Sequence, residues 1–234
     1  MIKQPRGKQL PVTHRNLYGI LCRFPEPGRV KTRLAQGIGD EQAARYYRSL
    51  VEAIMRQTAP QGSEYKRVLF YSPQRRKQAF SQWFPGERLF PQRGGDIGAV
   101  MANALSDLLA MGAAKALITG SDIPRLDRQI ISQAFRELEL SDMVIGPAND
   151  GGYYLIGMKT LHAGIFQDMS WGTGEVFAET VNAIRNSGLT WGPVAGLSDV
   201  DTAEDLLKID RCGSRAGLQA DAARTKKILF QGKD

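Results

Sequence analysis

The chain has 234 residues, a net charge of +7 and an apolar content of 42%. Such a chain is long enough for one sizeable α/β domain with its own core, and no apolar run approaches the length of a membrane-spanning helix, so a helical membrane protein is excluded. The excess of lysine and arginine gathers at the two ends without an aromatic-interleaved or recognition-helix pattern, so no nucleic-acid partner is expected; small polyanions suit the charge.

Residues 1–15 are polar and basic, lack an apolar centre and read as a flexible tail. Leu17–Cys22 is a short apolar run and reads as the first strand. Immediately after it Pro25, Pro27 and Gly28 forbid regular structure, and Arg29, Lys31 and Arg33 follow within five residues. A rigid, cationic loop at a strand end can hold phosphate: backbone N–H groups donate, Lys supplies a point charge and Arg a bidentate fork. Taken alone the stretch reads equally as a solvated basic loop. It is not a P-loop, because Val30 rather than Gly precedes Lys31-Thr32.

Asp40 is placed to cap a helix whose apolar face is Ala43, Tyr47, Leu50, Val51 and Ile54. Arg67–Tyr71 reads as a strand, Pro73–Trp83 as a helix and Arg88–Phe90 as a short strand. Ile97–Met111 carries Val100, Met101, Ala104, Leu105, Leu108 and Leu109 on one helical face. Ala116–Thr119 is a compact strand, and Asp127–Leu140 a helix. Met143–Gly146 and Tyr153–Met158 form two strands joined by the turn-rich Pro147–Gly152. A helix over Glu175–Asn186, a last strand within Leu189–Val194 and a short helix over Ala203–Asp210 follow. Residues 16–212 read as a single domain and 213–234 as a peripheral segment. The two cysteines, Cys22 and Cys212, have no metal-site or disulfide-framework spacing, which suits the cytoplasm.

Alternating strand and helix signals point to a mostly parallel sheet with helices on both faces. Ligands of such sheets bind beyond the carboxyl ends of the strands. The loops there are Arg23–Arg33, Gly120–Arg125 and Asp199–Thr202, all charged. Asp122 follows the strand Ala116–Thr119 directly, and Asp199 and Asp201 share a face if extended. Three carboxylates from strand ends can hold a hard divalent cation, Mg²⁺ or Mn²⁺. Read singly, Asp122 is equally a turn residue before Pro124, and Thr202 with Asp205 a helix-capping box. Gly95, Asp96 and Gly98 open a helix whose N–H groups can meet an anion, or form a plain turn. Asp150, Gly151 and Gly152 form a hairpin turn or a substrate loop. Trp171 and Thr173 offer either packing or contact. Cations opposite carboxylates suit metal-assisted transfer on a di- or triphosphate.

The ordered motifs RFPEPGRVKTRL, GGDIG, GSDIPRL, GPANDGGYYLIG, WGT and DVDTAEDL resemble an uncharacterised bacterial family of A-type glycosyltransferase-like proteins with the nucleotide-diphospho-sugar transferase fold. More distantly the chain resembles molybdenum-cofactor and phospholactate nucleotidylyltransferases. The resemblance runs from about Leu17 to Leu207. It implies a three-layer Rossmann-like α/β sandwich that binds a nucleotide in its first half and an acceptor in its second. It implies Lys31 and Arg33 on the phosphate loop; Arg23, Gly28, Gly95, Asp96 and Gly98 are expected beside them at the nucleotide, with Lys31 and Asp122 catalytic. Asp150, Gly151, Gly152, Trp171 and Thr173 fall to the acceptor, and Asp122, Asp199 and Asp201 to the metal. The Lys-Thr-Arg stretch resembles the pyrophosphate-gripping loop of sugar nucleotidylyltransferases. One departure stands out: where the family continues GGDIG with a polar residue and then Arg, this chain has Ala99 and Val100. The expected activity is nucleotidylyl transfer to a small phosphorylated or acidic acceptor. Glycosyl transfer from a nucleotide-sugar and a non-catalytic nucleotide-binding module are the alternatives, and a homodimer is compatible with all three.

Overall fold

Neighbouring residues of each strand bury their side chains against different helices, and that period of two sets three layers. The computed structural model describes residues 16–209; the expected tail (1–15), the end segment (213–234), Asp210 and Cys212 lie outside them. The strands are β1 (Asn16–Arg23), β2 (Lys66–Ser72), β3 (Arg88–Pro91), β4 (Lys115–Thr119), β5 (Met143–Pro147), β6 (Tyr153–Met158) and β7 (Trp191–Pro193). The helices are α1 (Thr32–Ile38), α2 (Asp40–Gln57), α3 (Lys77–Trp83), α4 (Ile97–Ala110), α5 (Arg128–Leu140), α6 (Val176–Asn186) and α7 (Ala203–Ile209). None is long and apolar enough to cross a membrane.

The sheet order is β3-β2-β1-β4-β6-β5-β7. Only β6 runs against its neighbours: it is antiparallel to both β4 and β5, whereas the β1–β2, β1–β4, β2–β3 and β5–β7 pairs are parallel. The expected hairpin is present, and its second strand inserts between β4 and β5. One core joins Tyr18, Ile20 and Cys22 of β1 and Leu117 of β4 to α1, α2, α5 and α7. The other joins Leu17, Val68, Phe70, Ala116 and Ile118 to α4 and α6. This is the mostly parallel, three-layer α/β fold expected from the sequence. The carboxyl ends of six strands, and the start of β6, therefore share one edge.

Three local expectations need correction. Asp40 does not cap α2; the cap position is Gly39, at φ +83°, and Asp40 is the first helical residue. The stretch after Pro73 is a 3₁₀ turn, Gln74–Arg76, before α3 begins at Lys77. The cationic loop is shorter than expected, because α1 starts at Thr32 and is anchored by the buried Leu34 and Ile38.

Candidate functional site

Loops at the carboxyl edge of the sheet enclose a cavity of about 770 Å³. Arg23, Arg29, Lys31 and Arg33 line it from the end of β1, and Gly95 and Asp96 from the loop before α4. Asp122 reaches it from the end of β4, Asp150 and Gly152 from the β5–β6 turn, and Asp199 and Asp201 from the segment after β7. An adjoining cavity of about 390 Å³ shares Arg33, Asp150 and Gly152 and adds Trp171 and Thr173. Of the residues singled out in the sequence, Gly28, Gly98 and Gly151 line neither cavity. Gly98 acts through packing: a Cβ there would stand 2.6 Å from the Trp171 ring, so its absence lets α4 close on the Trp171 loop.

Lys31 is the most constrained charged group in the cavity. Its backbone is left-handed, φ 49° and ψ 46°, and it occupies the cap position of α1. For a non-glycine residue that conformation costs about 1–2 kcal/mol, and such strain persists where the surroundings over-determine it. The buried Val30 and Leu34 fix the chain on either side. The Lys31 side chain is only 6% exposed; its Nζ lies 3.3 Å from Asp122 Oδ2 and 3.8 Å from Asp201 Oδ1. Arg33 Nη1 donates to Asp201 Oδ2 at 3.0 Å, while its side chain stays 71% exposed.

The loops are held by groups that the sequence did not reveal. The hydroxyl of Tyr47 on α2 accepts from the Arg23 N–H at 3.1 Å and shares a hydrogen bond of 2.7 Å with Ser121 Oγ, tying the end of β1 to the end of β4. Burial raises its phenol well above the ordinary range. Tyr47 reads from sequence as a core position; its signal was the need of any buried phenol for a partner. Glu26 accepts from Arg76 Nε at 2.6 Å and Arg75 Nη2 at 3.1 Å, and pairs with Arg29 at 3.5 Å. The hydrogen bond from Arg76, more than the surrounding arginine charge, holds its carboxyl low. Asp96 caps α4 by accepting from the Ala99 N–H at 2.8 Å. Thr202 and Asp205 form the capping box anticipated from their spacing: Asp205 N donates to Thr202 Oγ1 at 3.2 Å and Thr202 N to Asp205 Oδ2 at 3.0 Å. The Asp201 N–H also donates to Asp205 Oδ2, at 3.4 Å, but the Asp201 carboxylate takes no part in the box and faces the cations.

Burial pushes the Asp199 carboxyl up to about 6; Lys31 opposes the rise, and Asp122, Asp150 and Asp201 reinforce it. Negative charge is thus crowded at this edge, and the donors are hard oxygens. Among the described residues, however, no group of three or more His, Cys, Asp or Glu is placed to hold a metal ion by itself. The Lys31 ammonium sits against two of the three carboxylates instead. Mg²⁺ commonly takes one or two carboxylates and completes its shell from substrate phosphates and water. The set therefore suits an ion that arrives with a nucleotide better than one caged by protein.

The mostly parallel sheet with its loops at the carboxyl edge matches the α/β fold of solved nucleotide-diphospho-sugar transferase-like proteins. A protein from Desulfovibrio desulfuricans G20, provisionally named a nucleotide-diphospho-sugar transferase, is similar with a TM-score of 0.85 at 29% identity, over 94% of this chain and 98% of that one. CMP:2-keto-3-deoxy-manno-octonic acid synthetase complexed with CTP is similar at 12% identity and a TM-score of 0.51, over 84% of this chain and 97% of that one. A nucleotidyl transferase from Methanothermobacter thermautotroptrophicus is similar at 14% identity and a TM-score of 0.54, over 84% and 96%. These last two likenesses show the fold alone. The chain belongs to the family described as "uncharacterized protein conserved in bacteria (DUF2064)", whose sequence model matches residues 55–173, half of the chain. No curated protein matches it by sequence.

Proposed function

We propose that the protein transfers a nucleotidyl group from a nucleoside triphosphate to a small phosphorylated or acidic acceptor. One observation carries the reading: Arg23, Arg29, Lys31 and Arg33 meet Asp122, Asp199 and Asp201 around a single cavity large enough for a nucleotide. The fold likeness to a synthetase complexed with CTP and to a nucleotidyl transferase agrees with it. Lys31 and Arg33 bind and neutralise the triphosphate, as point charge and fork. The loop before α4 adds backbone donors at a helix N-terminus. The acceptor, seated in the second cavity, attacks the α-phosphorus, and pyrophosphate leaves. Asp122, Asp199 and Asp201 are the residues that would hold Mg²⁺ or Mn²⁺, together with phosphate oxygens; when bound, such an ion offsets phosphate charge.

Glycosyl transfer from a nucleoside diphosphate sugar is the second reading, favoured by the name of the D. desulfuricans protein. Incubation with each nucleoside triphosphate, Mg²⁺ and a panel of phosphorylated and carboxylic acceptors separates the two. Pyrophosphate release that depends on an acceptor supports nucleotidylyl transfer. Nucleoside diphosphate release from nucleotide-sugars, with no pyrophosphate from any triphosphate, overturns it.

A further inference from the structure

The wall between the two cavities carries both signs of charge. Arg33, Asp150, Gly152 and Tyr153 line the large cavity and the adjoining one of about 390 Å³, so whatever fills the second lies against the first. Arg33 gives one nitrogen to Asp201 at 3.0 Å and stays 71% exposed, which leaves it donors to spare. Asp122 and Asp201 are paired with Lys31 and Arg33. Asp150 has no cation partner among the described residues; its Oδ1 accepts from the Gly152 N–H at 3.0 Å, and its charge is left uncompensated. Trp171 and Thr173 line the second cavity as well. The Thr173 hydroxyl donates to the Ser170 carbonyl at 2.8 Å. The Tyr153 hydroxyl is closed off from solvent and reaches no hydrogen-bond partner. Neither hydroxyl serves Asp150.

An acceptor that fills this space takes water away from Asp150. A neutral body there would leave a desolvated carboxylate without a partner, and a second anion would add repulsion; both are costly. A cation on the acceptor removes both costs. From this we infer that the acceptor is amphoteric: a phosphomonoester whose other end is an ammonium group, with the phosphate at Arg33 and the ammonium at Asp150. Trp171, on the same cavity, favours the same sign, because an aromatic ring attracts a cation through its quadrupole. The inference rests on the nucleotidylyl transfer proposed above. In that step an acceptor phosphate oxygen bonds to the α-phosphorus, and the bond to the oxygen bridging to the β-phosphate breaks. Pyrophosphate carries away the electron pair; the phosphate dianion gives up no proton, and the ammonium stays protonated throughout.

The test is titration calorimetry of the full chain with a non-hydrolysable nucleoside triphosphate analogue and Mg²⁺ present. 2-Aminoethyl phosphate is compared with propyl phosphate, which has the same length and no charge on its tail, and with 2-hydroxyethyl phosphate. The amine ester is expected to bind about tenfold tighter or better than either, as a charge-assisted contact allows. Asp150→Asn keeps an oxygen for the Gly152 N–H and so spares the turn; it should erase the preference while propyl phosphate binds as before or better. Equal or weaker binding of the amine ester, hydroxyethyl phosphate bound as tightly as the amine, or a preference that survives Asp150→Asn overturns the inference. Should the variant melt well below the parent, the three esters compared on the parent alone decide it. Acceptor-dependent pyrophosphate release is measured separately and judges the reaction class. Release with uncharged esters alone would sink the ammonium and leave nucleotidylyl transfer standing; tight binding of the amine ester with no release from any triphosphate would sink the transfer and keep the ligand class.

Discussion

Replacing Gly151 by Ala should destabilise the ligand-free protein, while the same change at Gly152 should not. Gly151 lies at φ +86°, in the left-handed region. A Cβ there would stand 2.1 Å from the Gly174 carbonyl oxygen and 2.6 Å from its carbon. Both atoms are backbone, so relief requires the β5–β6 turn to leave the segment before α6, and the Phe177 N–H to Gly151 carbonyl bond of 2.9 Å goes with it. The left-handed conformation costs alanine about 1 kcal/mol, and overpacking against backbone adds about 1–3 kcal/mol. Loss of unfolded-state entropy returns about 0.5 kcal/mol. The net is about 2–3 kcal/mol, or a melting temperature lower by roughly 5–10 °C for a domain of this size. At Gly152 the nearest atom to an added Cβ is the Asp150 Oδ1 at 3.2 Å, the end of a side chain, and φ is not positive. Gly152→Ala should melt within about 2 °C of the parent. Calorimetric scans of the three proteins without ligand decide it. A Gly151→Ala protein that melts with the parent, or a Gly152→Ala protein that falls as far, would refute the reasoning.

Lys31→Met should weaken nucleotide binding about tenfold or more, since charge-assisted contacts are worth roughly 1.5–3 kcal/mol; unchanged affinity in calorimetry removes Lys31 from the phosphates. Asp199 gives a pH dependence of definite sign. Its carboxyl stands at about 6 in the folded protein against an ordinary 3.8, so the folded state holds the proton more tightly, and stability is lost as the pH rises from about 4 through 6. The full difference is worth about 3 kcal/mol, cut to about 1 kcal/mol by solvent screening of a half-exposed group. Asp199→Asn should therefore exceed the parent by about 1 kcal/mol at pH 7 and match it at about pH 3.5; urea melts in EDTA showing the variant weaker at pH 7 would contradict this. Burial pushes the Cys22 thiol up to about 12, so in a Cys212→Ser protein no thiol should react with an aromatic disulfide reagent until denaturant is added. Rapid reaction of the native protein would show that Cys22 is not sealed.

The sheet was legible because its strands announce themselves twice over. In β1, β2 and β4 both parities are apolar, as burial on two faces requires, and the helices between them carry clear stripes. The strand order was less so: β6 sits between β4 and β5, a placement set by pairing across the sheet and not by any local signal. Helix α1 escaped notice because its seven residues bury only Leu34 and Ile38. At the site, the rule that loops gather at carboxyl strand ends put Lys31, Asp122, Asp199 and Asp201 on one edge before any coordinates. It could not pair Lys31 with Asp122, which is 91 residues away. Nor could it give Tyr47 its place between two loops, because a hydroxyl on an apolar helix stripe looks like core until the opposite loop is in position.

On the proposed reading the carboxylates have a task even without a metal ion. A lysine has several rotatable bonds, and fixing them around a phosphate costs up to about 2 kcal/mol when the side chain starts free in solvent. Here Lys31 does not start free: its side chain is 6% exposed, its backbone is already in the left-handed region, and Asp122 and Asp201 hold its ammonium in the cavity. Most of the ordering cost is therefore met during folding, where the core around Val30 and Leu34 offsets it, and does not recur at binding. A loop cation on a flexible turn would grip phosphate with the same charge but less free energy. If Lys31 binds the triphosphate as proposed, the strained residue and its two acidic neighbours are one device, a cation ordered in advance of its ligand.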